Sequence, residues 1–211
     1  MNASISIHDQ EFVLHPSGAI YWPEQQKLLI ADVHLGKVSH FRKHGAAIPP
    51  EAAAENYRKL NEVMAEFQPE TICFLGDLFH SYINTEWNVF IEWVGKQKKQ
   101  LILIKGNHDI ISDLKFEDVN MEVRDSLQIG KFLLTHHPVS EANFFNFAGH
   151  LHPGVRMVGK GRQGIRLSCF YRTTDQLILP AFGNFTGKHI IRPGENDEVY
   201  VIVSGEVIFV T

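Results

Sequence analysis

Residues 71–77 read TICFLGD, an apolar run that ends in Gly76 and Asp77. A run that is apolar throughout, rather than alternating, reads as a strand covered on both faces. The glycine then lets the backbone turn sharply, with a carboxylate at the strand's end. Working outward, the same device recurs. Upstream, KLLIADVH (27–34) reads as a strand from Lys27 to Ala31 and delivers Asp32 and His34. Downstream, QLILIKGNHD (100–109) delivers Asn107, His108 and Asp109, and KFLLTHH (131–137) delivers His136 and His137. Last, FNFAGHLHPG (145–154) delivers His150 and His152 ahead of a Pro-Gly turn. Residues i and i+2 of an extended chain point the same way, so these two imidazoles can serve one ion or two adjacent ones. Solvation does not explain five Asp, Asn and His clusters that each follow an apolar strand. In open sheets, ligands bind beyond the carboxyl ends of strands.

Between these strands the periodicity changes. PEAAAENYRKLNEVMAEF (50–67) has proline near its start and Tyr57, Leu60, Val63, Met64 and Phe67 on a 3.6-residue stripe, which predicts a helix beginning near Pro50. TEWNVFIEWVGKQ (85–97) predicts a second, with Trp87, Phe90, Ile91 and Val94 on its inner face. Beyond residue 120 the chain reads as strands and turns. The expected fold is therefore α/β: two mixed sheets packed as a sandwich and flanked by helices. With 211 residues, no repeats and no linker-like stretch, a single domain spanning 1–211 is expected.

Composition narrows the function. The formal charge of −4 argues against a wholly basic surface without excluding a local basic track. Cys73 and Cys169 have no paired spacing, so two buried, reduced thiols are expected rather than a disulfide or zinc knuckle. The N-terminal MNASISIHDQ lacks a basic segment leading into an apolar run, and the apolar tail VYVIVSGEVIFV is broken by Ser204-Gly205-Glu206. No membrane partner is expected, and the expected location is the cytoplasm. Oligomeric state leaves no signature beyond EVIFV, which reads either as core or as an edge strand. Twelve histidines are the one compositional oddity, and they invite a search for metal sites.

The clusters hold oxygen and imidazole donors and no thiolate, which suits Mn²⁺, Fe, Co, Ni or Zn rather than Ca²⁺. So many donors exceed one tetrahedral ion and suit two divalent ions sharing a carboxylate, with Mn²⁺ the first expectation. Two such ions clamp the attacking and leaving oxygens of an in-line phosphoryl displacement. Phosphoryl transfer is thus the expected chemistry.

The ordered series DVH, GD, GNHD, THH and GHLH resembles the calcineurin-like metallophosphoesterase superfamily over residues of about 28 to 153. DVHLGKVSHFRKHGAAIPP, LGDLFHS and LPAFGNFTG further resemble its bacterial DNA-ligase-associated branch, extending the likeness over most of the chain. Position by position, the superfamily pattern implies one ion on Asp32, His34 and His152 and a second on Asn107, His136 and His150, with Asp77 bridging. It places His108 off the metals, donating to the phosphate or the leaving oxygen, with Asp109 hydrogen-bonded to its ring. It also implies activated water as nucleophile, with no covalent intermediate.

Four further residues are candidate substrate contacts: Lys37, Arg42, His80 and His137. Lys37, Arg42 and Lys43, with Phe41 for base stacking, fit a nucleic-acid strand or a single phosphate of a small substrate. His80 either approaches the phosphate or plays a structural role. His137 is either a substrate contact or a polar turn residue before Pro138. Arg156, Lys160, Arg162, Arg166 and Arg172 either track a nucleic-acid backbone or decorate solvated hairpins. The branch resemblance implies a DNA end-processing phosphodiesterase or nuclease in repair, with DNA as partner and a DNA ligase and associated repair proteins nearby. The alternative is a phosphatase or diesterase for a nucleotide or other small phosphoester. A metal-free scaffold of the same fold would lack ligands, and none is missing here.

Overall fold

A sheet covered on both faces needs apolar side chains at every position, and that requirement orders the first half of the chain. The computed structural model describes all residues except 44, 46, 48–50, 81, 160–162 and 185, together with the side chains of all described residues but 40, 43 and 51. Its first sheet runs β1 (Ala3–Ile7), β2 (Gln10–Leu14), β3 (Ile20–Trp22), β4 (Lys27–Ile30), β5 (Thr71–Leu75), β6 (Gln100–Ile104) and β7 (Met121–Arg124), side by side in chain order. Pairing is antiparallel as far as β4 and parallel from β4 to β7. Parallel neighbours need crossovers, and helices occupy them. These are α1 (Lys37–Lys43) and α2 (Glu51–Phe67) between β4 and β5, α3 (Thr85–Gly95) before β6, and α4 (Asp113–Glu117) before β7. The helix expected near Pro50 begins at Glu51, and Pro50 itself lies outside the described residues.

The second sheet is built from β8 (Leu127–Ile129), β9 (Phe132–Leu134), β10 (Phe145–Ala148), β11 (Pro153–Val158), β12 (Gly164–Arg172), β13 (Gln176–Ile178), β14 (His189–Ile190), β15 (Glu198–Val203) and β16 (Glu206–Phe209). Its order is β14-β11-β12-β13-β10-β9-β8, with β15 paired to β12 and to β16. Both sheets are mixed, as expected.

Alternation along the central strands feeds two cores. Leu28 and Ile30, Ile72 and Phe74, and Leu101 and Leu103 face the helices, where Leu60, Val63, Phe90 and Phe116 meet them. Leu29, Cys73, Leu75, Ile102 and Ile104 face the other way and pack on Phe132, Phe145, Phe147 and Phe170 of the second sheet. The layers are therefore helices, first sheet, second sheet. Among the described residues, the far face of the second sheet carries a small cluster around Cys169, Val199 and Val201. Both cysteines are buried and unpaired.

Two expectations need correction. Ile91 is 39% exposed, and Trp93 takes its place on the buried face of α3. The strand read as reaching Ala31 ends at Ile30, because Asp32 turns the chain with a φ of 56°. At the C-terminus, Ser204 and Gly205, both with positive φ, close the β15–β16 hairpin. Ile208 and Phe209 remain exposed on β16, so this segment is an edge strand. No helix among the described residues is long and apolar enough to cross a membrane.

Candidate dinuclear metal site

The tails of β4 and β5 keep pairing after the regular strands end. Asp32 N donates to Gly76 O (3.1 Å), His34 N to Asp77 O (2.9 Å) and Leu35 N to Leu78 O (2.8 Å), which holds Asp32 and His34 beside Asp77. This course demands left-handed backbone at Asp32, His34 and Asp77, with φ of 56°, 52° and 50°, and His150 and His152 adopt it too, at 67° and 49°. Non-glycine residues seldom take this conformation, and strain of this kind gathers at functional sites. Five of the seven candidate ligands carry it. Four neighbouring positions are closed to a Cβ: one on Gly76 would lie 2.1 Å from His136 Nδ1, on Gly106 2.3 Å from Asp77 Oδ1, on Gly149 2.5 Å from Asp32 Oδ2 and on Gly183 2.1 Å from Val33 O.

Asp32, His34 and His152 form one cluster, with ligand atoms within 4.8 Å of one another. His152 Nε2 lies 3.1 Å from Asp32 Oδ1 and 3.5 Å from His34 Nε2. Asp32 is fully buried; its Oδ2 accepts the His150 N–H at 2.9 Å, while its Oδ1 is left without a hydrogen bond. Burial drives the His34 imidazole down to about 2, and Lys37 and the neighbouring histidines push the same way. The ring is therefore neutral at physiological pH, the state that a metal requires.

The second cluster is centred on His136, which is 2% exposed. Its Nδ1 donates to Leu75 O at 3.0 Å, which leaves Nε2 as a lone pair. That lone pair faces Asn107 Oδ1 at 3.1 Å, His150 Nδ1 at 3.2 Å and Asp77 Oδ1 at 3.5 Å. Where the His150 nitrogen is also unprotonated, these are acceptors converging on an acceptor, an arrangement that a bound cation would stabilise. Asp32, Asp77 and His136 also lie within ligand distance of one another, so the two clusters share a wall. The donor set, the orphaned Asp32 oxygen and the converging lone pairs all fit divalent metal ions.

The other predicted residues fall unevenly around this centre. His108 is exposed; its N–H donates to Asp77 Oδ1 (2.9 Å), and its ring lies 5.2 Å from that of His80 and 5.8 Å from that of His34. His80 thus stands at the site, 5.5 Å from the His34 ring. Asp109 was expected to hold the His108 ring and does something else. It is buried, accepting Phe79 N–H on Oδ1 (3.0 Å) and Gly106 N–H on Oδ2 (2.9 Å), so it ties the loop after β6 to the loop after β5. Burial raises its carboxyl to about 6, against the pull of those N–H donors. Lys37, half-buried at the start of α1, is lowered by burial and raised by Asp77 and Asp32, whose field it feels. Arg42 is exposed on the same helix, with no hydrogen bond or ion pair to any described residue. Phe41 lies against His80 at 6.3 Å, and Lys43, Lys160 and Arg162 fall outside the described side chains. His137 is exposed, its ring 4.1 Å from that of His150, and its ligand atom falls within reach of His136 and His150.

Two supporting residues escaped the sequence reading. Glu86 is buried and accepts Gly36 N–H and Ser39 Oγ–H, both at 2.6 Å, which anchors the turn after His34. Asn56 is buried, donating to Val33 O and accepting Asn184 N–H, both at 3.2 Å. Each sits on the apolar stripe of its helix, four residues before Phe90 and Leu60 respectively. A polar residue at such a position was the available signal. The LPAFGNFTG segment braces the same turn: Phe182 N donates to Ala31 O and Gly183 N to Asp32 O.

Comparison with known proteins agrees with this geometry. The family model for calcineurin-like phosphoesterase matches residues 27–187. Among solved structures, the Pseudomonas putida nuclease MPE superposes with a TM-score of 0.84 at 30% identity, over 100% of both chains. A protein of unknown function from Aquifex aeolicus, AQ665, is similar at 19% identity over 60% of this chain and 78% of the other, with a TM-score of 0.44. No curated protein matches the chain in a sequence comparison.

Proposed function

The chain belongs to the calcineurin-like phosphoesterase family and is a metal-dependent phosphoester hydrolase, and on that premise we propose that it is a Mn²⁺-dependent phosphodiesterase that processes DNA ends in repair. The observation that carries this reading is the full-length likeness to a nuclease, joined to a cluster of candidate metal ligands that opens onto solvent at Asn107, His108 and His137. A long polymer needs such an open rim.

In this reading Asp32, His34 and His152 would hold one ion, and Asn107, His136 and His150 would hold the other, with Asp77 on the wall between them. Two divalent ions supply water activation near neutral pH and charge stabilisation of the phosphoryl oxygens. The residues do the rest. The buried neutral His34 keeps its lone pair committed, and the exposed His108 donates its ring proton to the departing oxygen. His80 and Lys37, at the edge of the cluster, contact the phosphate. Asp109 acts from beneath by fixing the two loops that carry Asp77 and His108.

The test is hydrolysis by chelator-stripped protein with Mn²⁺ restored, comparing a single-stranded oligonucleotide, bis-p-nitrophenyl phosphate and p-nitrophenyl phosphate. Mn²⁺-dependent cleavage of the oligonucleotide and the diester is expected. Activity on the monoester alone would replace this reading with a small-molecule phosphatase.

A further inference from the structure

The inner face of the second sheet does not end where the sandwich ends. Along β12 it passes from Phe170, in the core between the sheets, to Ser168 and then to Arg166, since alternate residues share a face. On the paired strand β11 the same face carries Gly154 and Arg156, because Gly154 lies opposite Ser168 and Arg156 opposite Arg166. The β11–β12 hairpin therefore overhangs the molecule with two arginines directly across from each other. Both are exposed, and neither has an ion pair or hydrogen bond to any described residue. Like charges in directly opposed positions destabilise an antiparallel pair. The hairpin's other face is apolar, with Val155 and Leu167 packed on the outer cluster around Cys169, so the arginines are confined to one side.

That side leads to the candidate ligand cluster at His152. At the root of the hairpin a cavity of about 200 Å³ is lined by His152, Ser168, Lys188, Lys59 and Thr186, among others. Lys188 stands against Gly154, where a Cβ would meet its own Cβ at 3.0 Å. Arg156 lies two residues further out, roughly 7 Å along the strand, with its guanidinium across Gly164, whose Cβ would meet Arg156 Nε at 2.8 Å. Cationic groups thus line one face from the His152 side of the site out along the hairpin, on a chain whose formal charge is −4. The spacing exceeds one phosphate group and suits a repeating one.

We propose that the Arg156 and Arg166 face of the β11–β12 hairpin, continued by Lys188 at the cavity beside His152, binds the phosphate backbone of a nucleic-acid strand on one side of the scissile bond. This rests on the diesterase reading above and adds where the strand runs. The arginines raise affinity for polymer and leave the bond-breaking step alone. Because base edges are not contacted, binding along the hairpin is independent of sequence and weakens with salt.

The experiment compares Mn²⁺-loaded wild type with the Arg156→Gln, Arg166→Gln double variant on a long single-stranded oligonucleotide, a dinucleotide and bis-p-nitrophenyl phosphate, across a salt series. The variant is expected to raise KM for the long oligonucleotide roughly tenfold and to make the logarithmic salt dependence shallower by about 1.4, the value for two single-strand phosphates. Rates on the dinucleotide and on bis-p-nitrophenyl phosphate stay at the wild-type level, and thermal stability holds or rises as the opposed charges go. Unchanged oligonucleotide KM and salt slope would overturn the strand path alone, and so would a parallel fall on bis-p-nitrophenyl phosphate. If wild type hydrolyses bis-p-nitrophenyl phosphate but neither binds nor cuts oligonucleotides of any length, the nucleic-acid reading fails and takes the strand path with it.

Discussion

The two ligand clusters share a wall and differ in their exposure to water. In the first cluster Asp32 and His34 are buried and His152 is half-buried, and the desolvated His34 ring is driven down to about 2. Around His136 the buried ring meets Asn107, His137 and His150, of which the first two are exposed. The difference follows from how each is braced. Asp32 and His34 lie at a turn held by Glu86, Asn56, Phe182 and Gly183, whereas Asn107 and His137 lie on loops and are exposed. One cluster is thus built to keep its imidazole neutral, and the other is built to be reached.

Asp77→Asn attacks the wall that the clusters share. It should release both ions, read by metal analysis after dialysis, and reduce turnover to background. Retention of one ion would show that the clusters are independent. His108→Ala tests the open side. It should lower kcat on oligonucleotides by roughly 10² to 10⁴, the range for a positioned proton donor, with metal content unchanged. The loss should be smaller for a nitrophenolate leaving group, which departs without a proton. Loss of metal in this variant would instead make His108 a ligand.

Asp109→Asn tests the tie beneath both clusters. An amide places an N–H₂ where Phe79 or Gly106 N–H now finds an acceptor. The expected cost is about 1–3 kcal/mol, measured by denaturant unfolding.

Acid sharpens the contrast between buried groups. His34 titrates at about 2 in the folded chain against 6.5 when free, so the unfolded chain takes its proton first. Stability of metal-free protein is therefore lost as pH falls below about 6.5, by up to ~1.4 kcal/mol per pH unit. Asp109 has the opposite sign: raised to about 6 from 3.8, it protonates first in the folded chain and stabilises it as pH falls through 6. His15 and His150, also lowered by burial, act in the same direction as His34, so wild type should decline from pH 6.5 and more gently below 6, where Asp109 offsets part of the loss, while Asp109→Asn should decline more steeply there. Parallel curves from pH 6 to 4 would refute the assignment. The smallest effect is expected from His137→Ala, exposed beside His150: a few-fold change in KM with both ions retained.

Much of the site was legible because strand ends are local. An apolar run, a glycine and a carboxylate or imidazole are neighbours in sequence, so TICFLGD and QLILIKGNHD declared both the strand and its chemical cargo. Asp109 was misread because its partners, Phe79 and Gly106, reach it through a fold-dependent approach of two loops. Glu86 and Asn56 were hidden inside helical stripes that otherwise read as core. Ile91 and Trp93 were exchanged because both lie near the stripe and only the approach of α2 separates them, where Trp93 meets the Tyr57 ring and donates to Asn61 Oδ1.

The sequence by itself determined the α/β class, the strand order of donors and the kind of ion they suit, since these follow from residue type and short-range period. Tertiary structure alone decided which imidazole is dehydrated, which faces water, which loop Asp109 ties and where the paired arginines point. Those properties depend on what packs against each residue from distant parts of the chain, and burial and convergence of lone pairs have no local signature.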